Sequence, residues 1–245
     1  MKNSANRLYG DLAWLWPIWE DVEEYRKESE LFTKLIKQNA KIEVHSLLDM
    51  GCGGGKNAFH LKRHFAVTGI DISEAMLSNA KNLNPECEFL VGDMRQFDLG
   101  RQFDSAFIND SITYMTTKED LFNTFRSAYK HLRAGGLMIT YPDVCKETFS
   151  QNTTRVSTSQ TDGLEITFIE NSYDRNPEDD TYELTFIFLI RQAGKLRIET
   201  DHHVCGLFKL DVWRKLLRQG GFEVHEKGSG KDTKDLPVFV CIKPL

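Results

Sequence analysis

Between Val44 and Asp143, short apolar runs alternate with helical segments, and no other feature of the sequence constrains the fold as much. The runs are VHSLLDM (44–50), AVTGID (66–71), CEFLVGD (87–93), FDSAFIND (103–110) and LMITYPD (137–143). Helical patterns fill the gaps, from about Lys56 to Arg63, over SEAMLSNAKNL (73–83) and over KEDLFNTFRSAYKHLRAGG (118–136). The Gly-Gly pair is expected to stop the last of these. Strict alternation of this kind marks an α/β fold, a parallel sheet with helices on both faces.

Outside that stretch the pattern changes. From Tyr9 to Ala40 it is helical, with Trp16, Trp19 and Val22 on one face and Pro17 expected in a first turn. Residues 144–162 are polar and read as a loop. GLEITFIENSYD (163–174), TYELTFIFLI (181–190) and LRIETDHHVCGLF (196–208) then alternate as antiparallel strands. A helix (209–221) and two strands, FEVHEKG and PVFVCIK, follow. The expected organisation is an N-terminal helical lid (1–42), a core (43–143), an antiparallel insertion (144–208), and a helix with a hairpin completing the core sheet (209–245).

Composition narrows the function classes. A formal net charge of −5 argues against a nucleic-acid-binding face, which is usually basic. Cys52, Cys87, Cys145, Cys205 and Cys241 are scattered without CxxC spacing, which reads as reduced thiols in a cytoplasmic protein. No apolar stretch approaches the roughly 18 residues of a membrane span, and LAWLWPIW lacks the marks of a signal peptide. No His/Cys/Asp cluster has metal-ligand spacing, so no metal is expected.

In open α/β sheets, ligands sit at the carboxyl ends of the strands. There the first apolar run breaks into LLDMGCGGGK, with Asp49 followed by Gly51, Gly53 and Gly55 in GxGxG spacing. Such a turn tolerates positive φ and lets a ligand lie against bare backbone, beside free N–H groups of the next helix. A dinucleotide fingerprint would need glycine where Lys56 stands, and a P-loop would need a Lys-Ser/Thr pair. Asp71 ends the second run, where a carboxylate can accept both ribose hydroxyls; capping of the next helix is its plainer role. Asp93 ends the third run, where it can accept from an adenine amino group or simply serve a turn. Three successive strand ends with suitable groups point to an adenosine pocket without pyrophosphate.

These residues carry a resemblance. LLDMGCGGG, VTGIDISEAML, FLVGDM, FDSAFINDSITYM and HLRAGGLMITYP resemble the successive motifs of class I S-adenosylmethionine-dependent methyltransferases. The layout after residue 160 is similar to small-molecule N-methyltransferases of the sugar dimethyltransferase type. The resemblance implies a Rossmann-like seven-stranded sheet in the order 3-2-1-4-5-7-6, strand 7 antiparallel, with the antiparallel β insertion between strands 5 and 6. It implies S-adenosylmethionine as cofactor, held at its methionine end by Asp49 and the Gly51–Gly55 loop, with the Gly51 and Cys52 backbone nearest. Asp71 would grip the ribose, Ile72 and Met76 would sandwich the adenine, and Asp93 with the Met94 backbone would face its amino group. Asn109 would lie near the methionine amino group; Lys56 and His60 receive no role.

The expected reaction is methyl transfer to a nitrogen, or less readily an oxygen, of a small molecule, by a monomer or homodimer whose insertion roofs the acceptor. RNA or protein as acceptor, and a NAD(P)-dependent oxidoreductase, are the rival readings. Asp110, Ser111 and Tyr114 should line the acceptor cleft, Asp110 orienting an amine or accepting its proton. His202 and His203 alternate faces, so one of them can point inward, and His203 is the catalytic candidate. Tyr9 is expected to close over the cofactor, while Trp14, Trp16 and Trp19 suit either a lid or core packing.

Overall fold

A computed structural model of the chain describes residues 6–161, 163–228 and 236–245. Its N-terminal segment is a series of short turns. The 3-10 turns Arg7–Tyr9 and Ala13–Leu15 lead into α1 (Trp16–Trp19), a further turn Val22–Tyr25, and the longer α2 (Arg26–Asn39). This corrects the unbroken helical reading of 9–40. Pro17 does occupy the first turn of α1, but Glu20 turns extended, and Asp21 then starts a new turn with a capping box shared with Glu24.

The core alternates as expected: β1 (Ser46–Met50), α3 (Lys56–Leu61), β2 (Ala66–Asp71), α4 (Glu74–Leu83), β3 (Glu88–Val91), β4 (Phe103–Ile108), α5 (Lys118–His131) and β5 (Leu132–Thr140). Ser73 caps α4 by accepting from the Met76 N–H at 3.1 Å, and Thr117 caps α5 through Asp120 at 3.0 Å. Successive β1 side chains serve opposite faces. Leu47 joins Phe32, Ile36 and Leu61 beneath α2 and α3, while Leu48 and Met50 join Leu121 and Phe125 of α5. All of β4 is buried, as a central strand covered on both faces must be.

Four antiparallel strands follow, β6 (Thr153–Thr161), β7 (Leu164–Tyr173), β8 (Thr181–Gln192) and β9 (Lys195–Gly206). The chain closes with α6 (Leu210–Gln219), β10 (Glu223–Gly228) and β11 (Pro237–Ile242). The seven-stranded sheet runs β10-β11-β5-β4-β1-β2-β3, with β11 antiparallel to both neighbours. In core numbering this is the expected 3-2-1-4-5-7-6. The other four strands form a separate sheet in sequence order.

Two boundaries differ from the sequence reading. Helix α5 ends at His131, five residues short of the Gly-Gly stop expected at 136, because Leu132 already pairs with Phe103. The glycines instead form an irregularity in β5: Gly135 has φ of +79°, and a Cβ on Gly136 would lie 2.5 Å from the Asp104 carbonyl oxygen. The second difference is β6, within the segment read as a loop. It is an edge strand exposed along most of its length, so nothing in its Thr-Ser-Gln sequence needed to alternate.

The N-terminal segment connects the two sheets. Leu8, Leu12 and Leu15 pack with Ile166 and Phe168 of β7 and with Leu184, Phe186 and Phe188 of β8. Trp19 lies 4.0 Å, ring to ring, from Phe168, and Asn79 of α4 donates to the Ala13 carbonyl at 2.8 Å.

Candidate active site

The tips of β1, β2 and β4 converge beneath this segment. After Met50 the chain turns at once, the Gly51 and Cys52 N–H groups both donating to the Ile70 carbonyl at 2.8 and 2.9 Å. Gly51, Gly53 and Gly55 all take positive φ, 76°, 50° and 78°. Gly51 has a second constraint, since a Cβ there would meet Ser111 Oγ at 2.1 Å. Asp71 closes the loop from the next strand. Its Oδ2 accepts from the Gly53 N–H at 2.9 Å and its Oδ1 from the Ser73 N–H at 2.8 Å. Ser73 rather than Asp71 caps α4, and the Asp71 carboxylate instead closes a turn to the Ser73 N–H while pinning the glycine loop.

Asp49 is buried, and its Oδ2 has no hydrogen-bond partner among the described residues. Burial, aided by the charge of Asp71, pushes its carboxyl up to about 7. Burial likewise raises the Cys52 thiol, which leaves the loop backbone rather than the sulfur as its polar face. Met76 is fully buried beside Gly53, whereas Ile72 is 70% exposed, an apolar side chain left facing outward at the β2 tip. Asp93 holds Arg95 through both oxygens, at 2.6 to 3.1 Å, and Arg95 also reaches Asp120 of α5. The carboxylate expected to face adenine is therefore already engaged by a guanidinium, which holds it below the usual carboxylate range. Met94 lies next to Gly51, its Cε 2.6 Å from where a Cβ would stand.

At the β4 tip, Asn109 donates to Glu28 Oε2 of α2 at 3.0 Å, and its own Oδ1, buried, lacks a partner among the described residues. Tyr141 Oη donates to the other Glu28 oxygen at 2.7 Å and lies 3.4 Å from Asp110 Oδ1. Asp110 itself is exposed.

The structure brings Tyr9, Tyr114 and His203 into one chain of hydrogen bonds. Tyr9 Oη is 2.8 Å from Tyr114 Oη, which is 2.7 Å from His203 Nδ1; His203 Nε2 is 2.7 Å from Asp201 Oδ2. His203 is fully buried while His202 is turned outward, as their alternation on one strand requires. The chain has a direction. Burial would raise the Asp201 carboxyl, but hydrogen bonds from His203 and from the Leu8 N–H, at 2.7 Å, hold it below its ordinary value. An ionised Asp201 accepts from Nε2–H, so Nδ1 accepts from Tyr114, and Tyr114 accepts from Tyr9. Burial raises both phenols, keeping them protonated donors.

Asp201 was missed by the sequence reading. Asp-x-His on one strand puts both side chains on the same face, and that spacing was the available signal. The atoms left without partners fit the amino-acid end of an adenosyl sulfonium. Asp49 Oδ2 and Asn109 Oδ1 are acceptors suited to an ammonium. Among the described residues no group of three or more His, Cys, Asp or Glu is arranged to hold a metal, and no helix is long and apolar enough to cross a membrane.

Comparison with known proteins agrees with this geometry. A family model described as a methyltransferase domain matches residues 47–136. The dTDP-3-amino-3,4,6-trideoxy-alpha-D-glucopyranose N,N-dimethyltransferase of Streptomyces venezuelae is 29% identical over 222 residues, covering 89% of this chain and 92% of that protein. YqeM of Bacillus subtilis (strain 168), a methyltransferase by name, is 30% identical over 200 residues, 79% of each chain. Among solved structures, DesVI of Streptomyces venezuelae superposes with a TM-score of 0.83 at 26% identity, over 96% of both chains.

Proposed function

This chain belongs to the class I S-adenosylmethionine-dependent methyltransferases, and on that footing we propose that its acceptor is the amine nitrogen of an amino sugar. It transfers a methyl group from S-adenosylmethionine to a small-molecule acceptor. The amino-sugar reading is supported by the Streptomyces venezuelae relative, which acts on a nucleotide-linked amino sugar by name and aligns over most of both chains.

The choice of nitrogen is supported by the relative named as an N,N-dimethyltransferase, and the directed chain from Tyr9 to Asp201 gives the acceptor's proton a place to go. A methylated amine must lose a proton, and Tyr9 Oη, donating inward to Tyr114, keeps lone pairs to accept an N–H. When that proton moves onto Tyr9, the hydrogens along the chain each shift one place and His203 Nδ1 takes up the last of them. The imidazolium formed is stabilised by Asp201 at 2.7 Å. The surroundings favour a cation as well: burial first, then the charges of Asp110, Asp143 and Glu28 raise the Tyr141 phenol, and Asp143 and Glu170 add to burial at Tyr182.

S-adenosylmethionine, when bound, supplies an electrophilic methyl on a sulfonium. The protein's part is to align the acceptor in line with that methyl and to exclude water. Asp49, Asn109 and the Gly51, Cys52, Gly53 and Gly55 backbone would hold the methionine end, Asp71 the ribose hydroxyls, and Ile72 and Met76 the faces of the adenine. Met94 would supply backbone at the adenine edge, with Asp93 reaching it only beside Arg95. Residues 1–42 would serve as the lid and 144–208 as the roof, and Asp110 would orient the acceptor from the exposed side of Tyr141. A methyl-transfer screen across amino sugars, simple amines and the matching hydroxyl compounds, read by mass spectrometry, tests the proposal. Methylation of the hydroxyl series alone would overturn it.

A further inference from the structure

Lys56, the first residue of α3, is 4% exposed and is the one buried lysine or arginine among the described residues. Among the described residues its Nζ has no hydrogen-bond partner and only a long ion pair. The nearest carboxylate oxygen, Oε2 of Glu20, is 3.8 Å away and also accepts from Tyr25 Oη. The ammonium sits 4.8 Å from the Trp16 ring centroid and 5.5 Å from that of Tyr25. Aromatic faces attract a cation but do not accept its N–H bonds in full. Such a group is costly to bury unless an anion completes its shell.

A second orphaned donor lies beside it. Trp16 Nε1 is buried without a partner among the described residues, and the indole edge presses on the glycine loop. A Cβ on Gly54 would stand 2.3 Å from Trp16 Cδ1 and 2.4 Å from Nε1. Asp49 Oδ2 in β1, Asn109 Oδ1 at the β4 tip and Asn84 Oδ1, whose amide is bonded to the Gly55 carbonyl, are acceptors without donors, while Lys56 Nζ and Trp16 Nε1 are donors without hydrogen-bond acceptors among the described residues. An α-amino acid zwitterion brings an ammonium for such acceptors and a carboxylate for the two donors.

We propose that Lys56, together with the Trp16 indole N–H, is the anchor for the carboxylate of the cofactor's amino-acid end. The proposal rests on the cofactor reading above and extends it to residues that had no role. It also makes the carboxylate a tie between the two parts of the fold, since Trp16 belongs to the N-terminal segment and Lys56 to the core. Burial brings the Lys56 ammonium down to about 8 although Glu20, Glu24 and Asp21 oppose the shift, so its charged form lacks stabilisation that a bound anion would add.

The test is calorimetry of the full chain with four ligands. S-adenosylhomocysteine carries both charges, its decarboxylated analogue only the amine, 5′-methylthioadenosine neither, and thymidine diphosphate is an unrelated anion. Lys56→Met is expected to weaken S-adenosylhomocysteine at least tenfold and to leave the decarboxylated analogue and methylthioadenosine within twofold. Trp16→Phe, which keeps the ring and removes the N–H, should weaken S-adenosylhomocysteine several-fold with the same selectivity, and it carries the test if Lys56→Met does not fold. Unchanged affinity for S-adenosylhomocysteine, or an equal loss for all three nucleosides, would overturn the anchor while the cofactor site stands. Loss confined to thymidine diphosphate would assign Lys56 to the acceptor instead. A wild-type protein that binds none of the three nucleosides would remove the cofactor reading itself.

Discussion

Tyr114 Oη lies 2.7 Å from His203 Nδ1, joining the turn after β4 to the inner face of the second sheet. Neither residue is near the other in sequence, and each is also bound to a further member of the chain, Tyr9 on one side and Asp201 on the other. Four residues from three parts of the fold are thus joined in one chain of hydrogen bonds.

If that chain removes the acceptor's proton, cutting it in the middle should slow chemistry and spare cofactor binding. Tyr114→Phe is expected to lower kcat by about 10²-fold, within the ordinary range for general acid–base groups. Its affinity for S-adenosylhomocysteine should stay within twofold. Asp201→Asn should act similarly by favouring the wrong imidazole tautomer, although the residue is distant from the reacting atoms in the chain. Steady-state kinetics beside calorimetry separates the two effects; equal changes in kcat and affinity would count against a relay.

Asp71 is tied to two backbone N–H groups and still has lone pairs to offer a ribose. Asp71→Ala should weaken S-adenosylhomocysteine by roughly 1–3 kcal/mol through the lost charge-assisted hydrogen bonds. Unchanged affinity by calorimetry would sink the ribose assignment.

Asp49 yields a prediction about pH. A carboxyl raised to about 7 is neutral below that value and charged above it, so an ammonium ligand should bind more tightly as pH rises through 7. Binding near pH 6.5 (about half a unit below) should release a proton, measurable by calorimetry in buffers of different ionisation enthalpy. The same rise costs the ligand-free protein stability between about pH 4 and 7, because the folded state holds the proton more tightly than the unfolded chain does. Asp49→Asn should therefore raise the melting temperature of the ligand-free protein at pH 8 by several degrees while abolishing the pH dependence of binding. A lower melting temperature at pH 8 would contradict this.

Polar residues toward the strand ends were legible as candidates because parallel strands buried on both faces must be apolar, so a polar residue there stands out. Asp49, Asp71 and Asn109 were visible for that reason. The strand order came through family resemblance, since periodicity alone does not order strands. β6 was illegible because an exposed edge strand needs no hydrophobic alternation, and the glycines at 135–136 were misread because helix stops and strand irregularities call for the same residue. Lys56 was passed over because a lysine opening a helix is ordinarily solvated. Here Trp16, Tyr25 and Glu20 close over it.

The adjacent glycines 54 and 55 should respond differently to the same added methyl group. Gly55 sits at φ of +78°, and a Cβ would meet Asn84 Nδ2 at 2.7 Å and the Ala80 backbone at 3.1 Å. Gly55→Ala should cost roughly 1–2 kcal/mol from the left-handed conformation alone, with steric conflict added. Gly54 has no positive φ, and the three atoms nearest to where its Cβ would stand all belong to the Trp16 indole. Gly54→Ala should therefore displace Trp16, change the intrinsic fluorescence and weaken S-adenosylhomocysteine. Because the conflict is with one side chain, adding Trp16→Ala should remove most of the steric cost of Gly54→Ala but none of that of Gly55→Ala. Urea unfolding of the two double-mutant cycles reads this directly. Additive costs at both positions would mean that the loop, and not the indole above it, sets the requirement for glycine at 54.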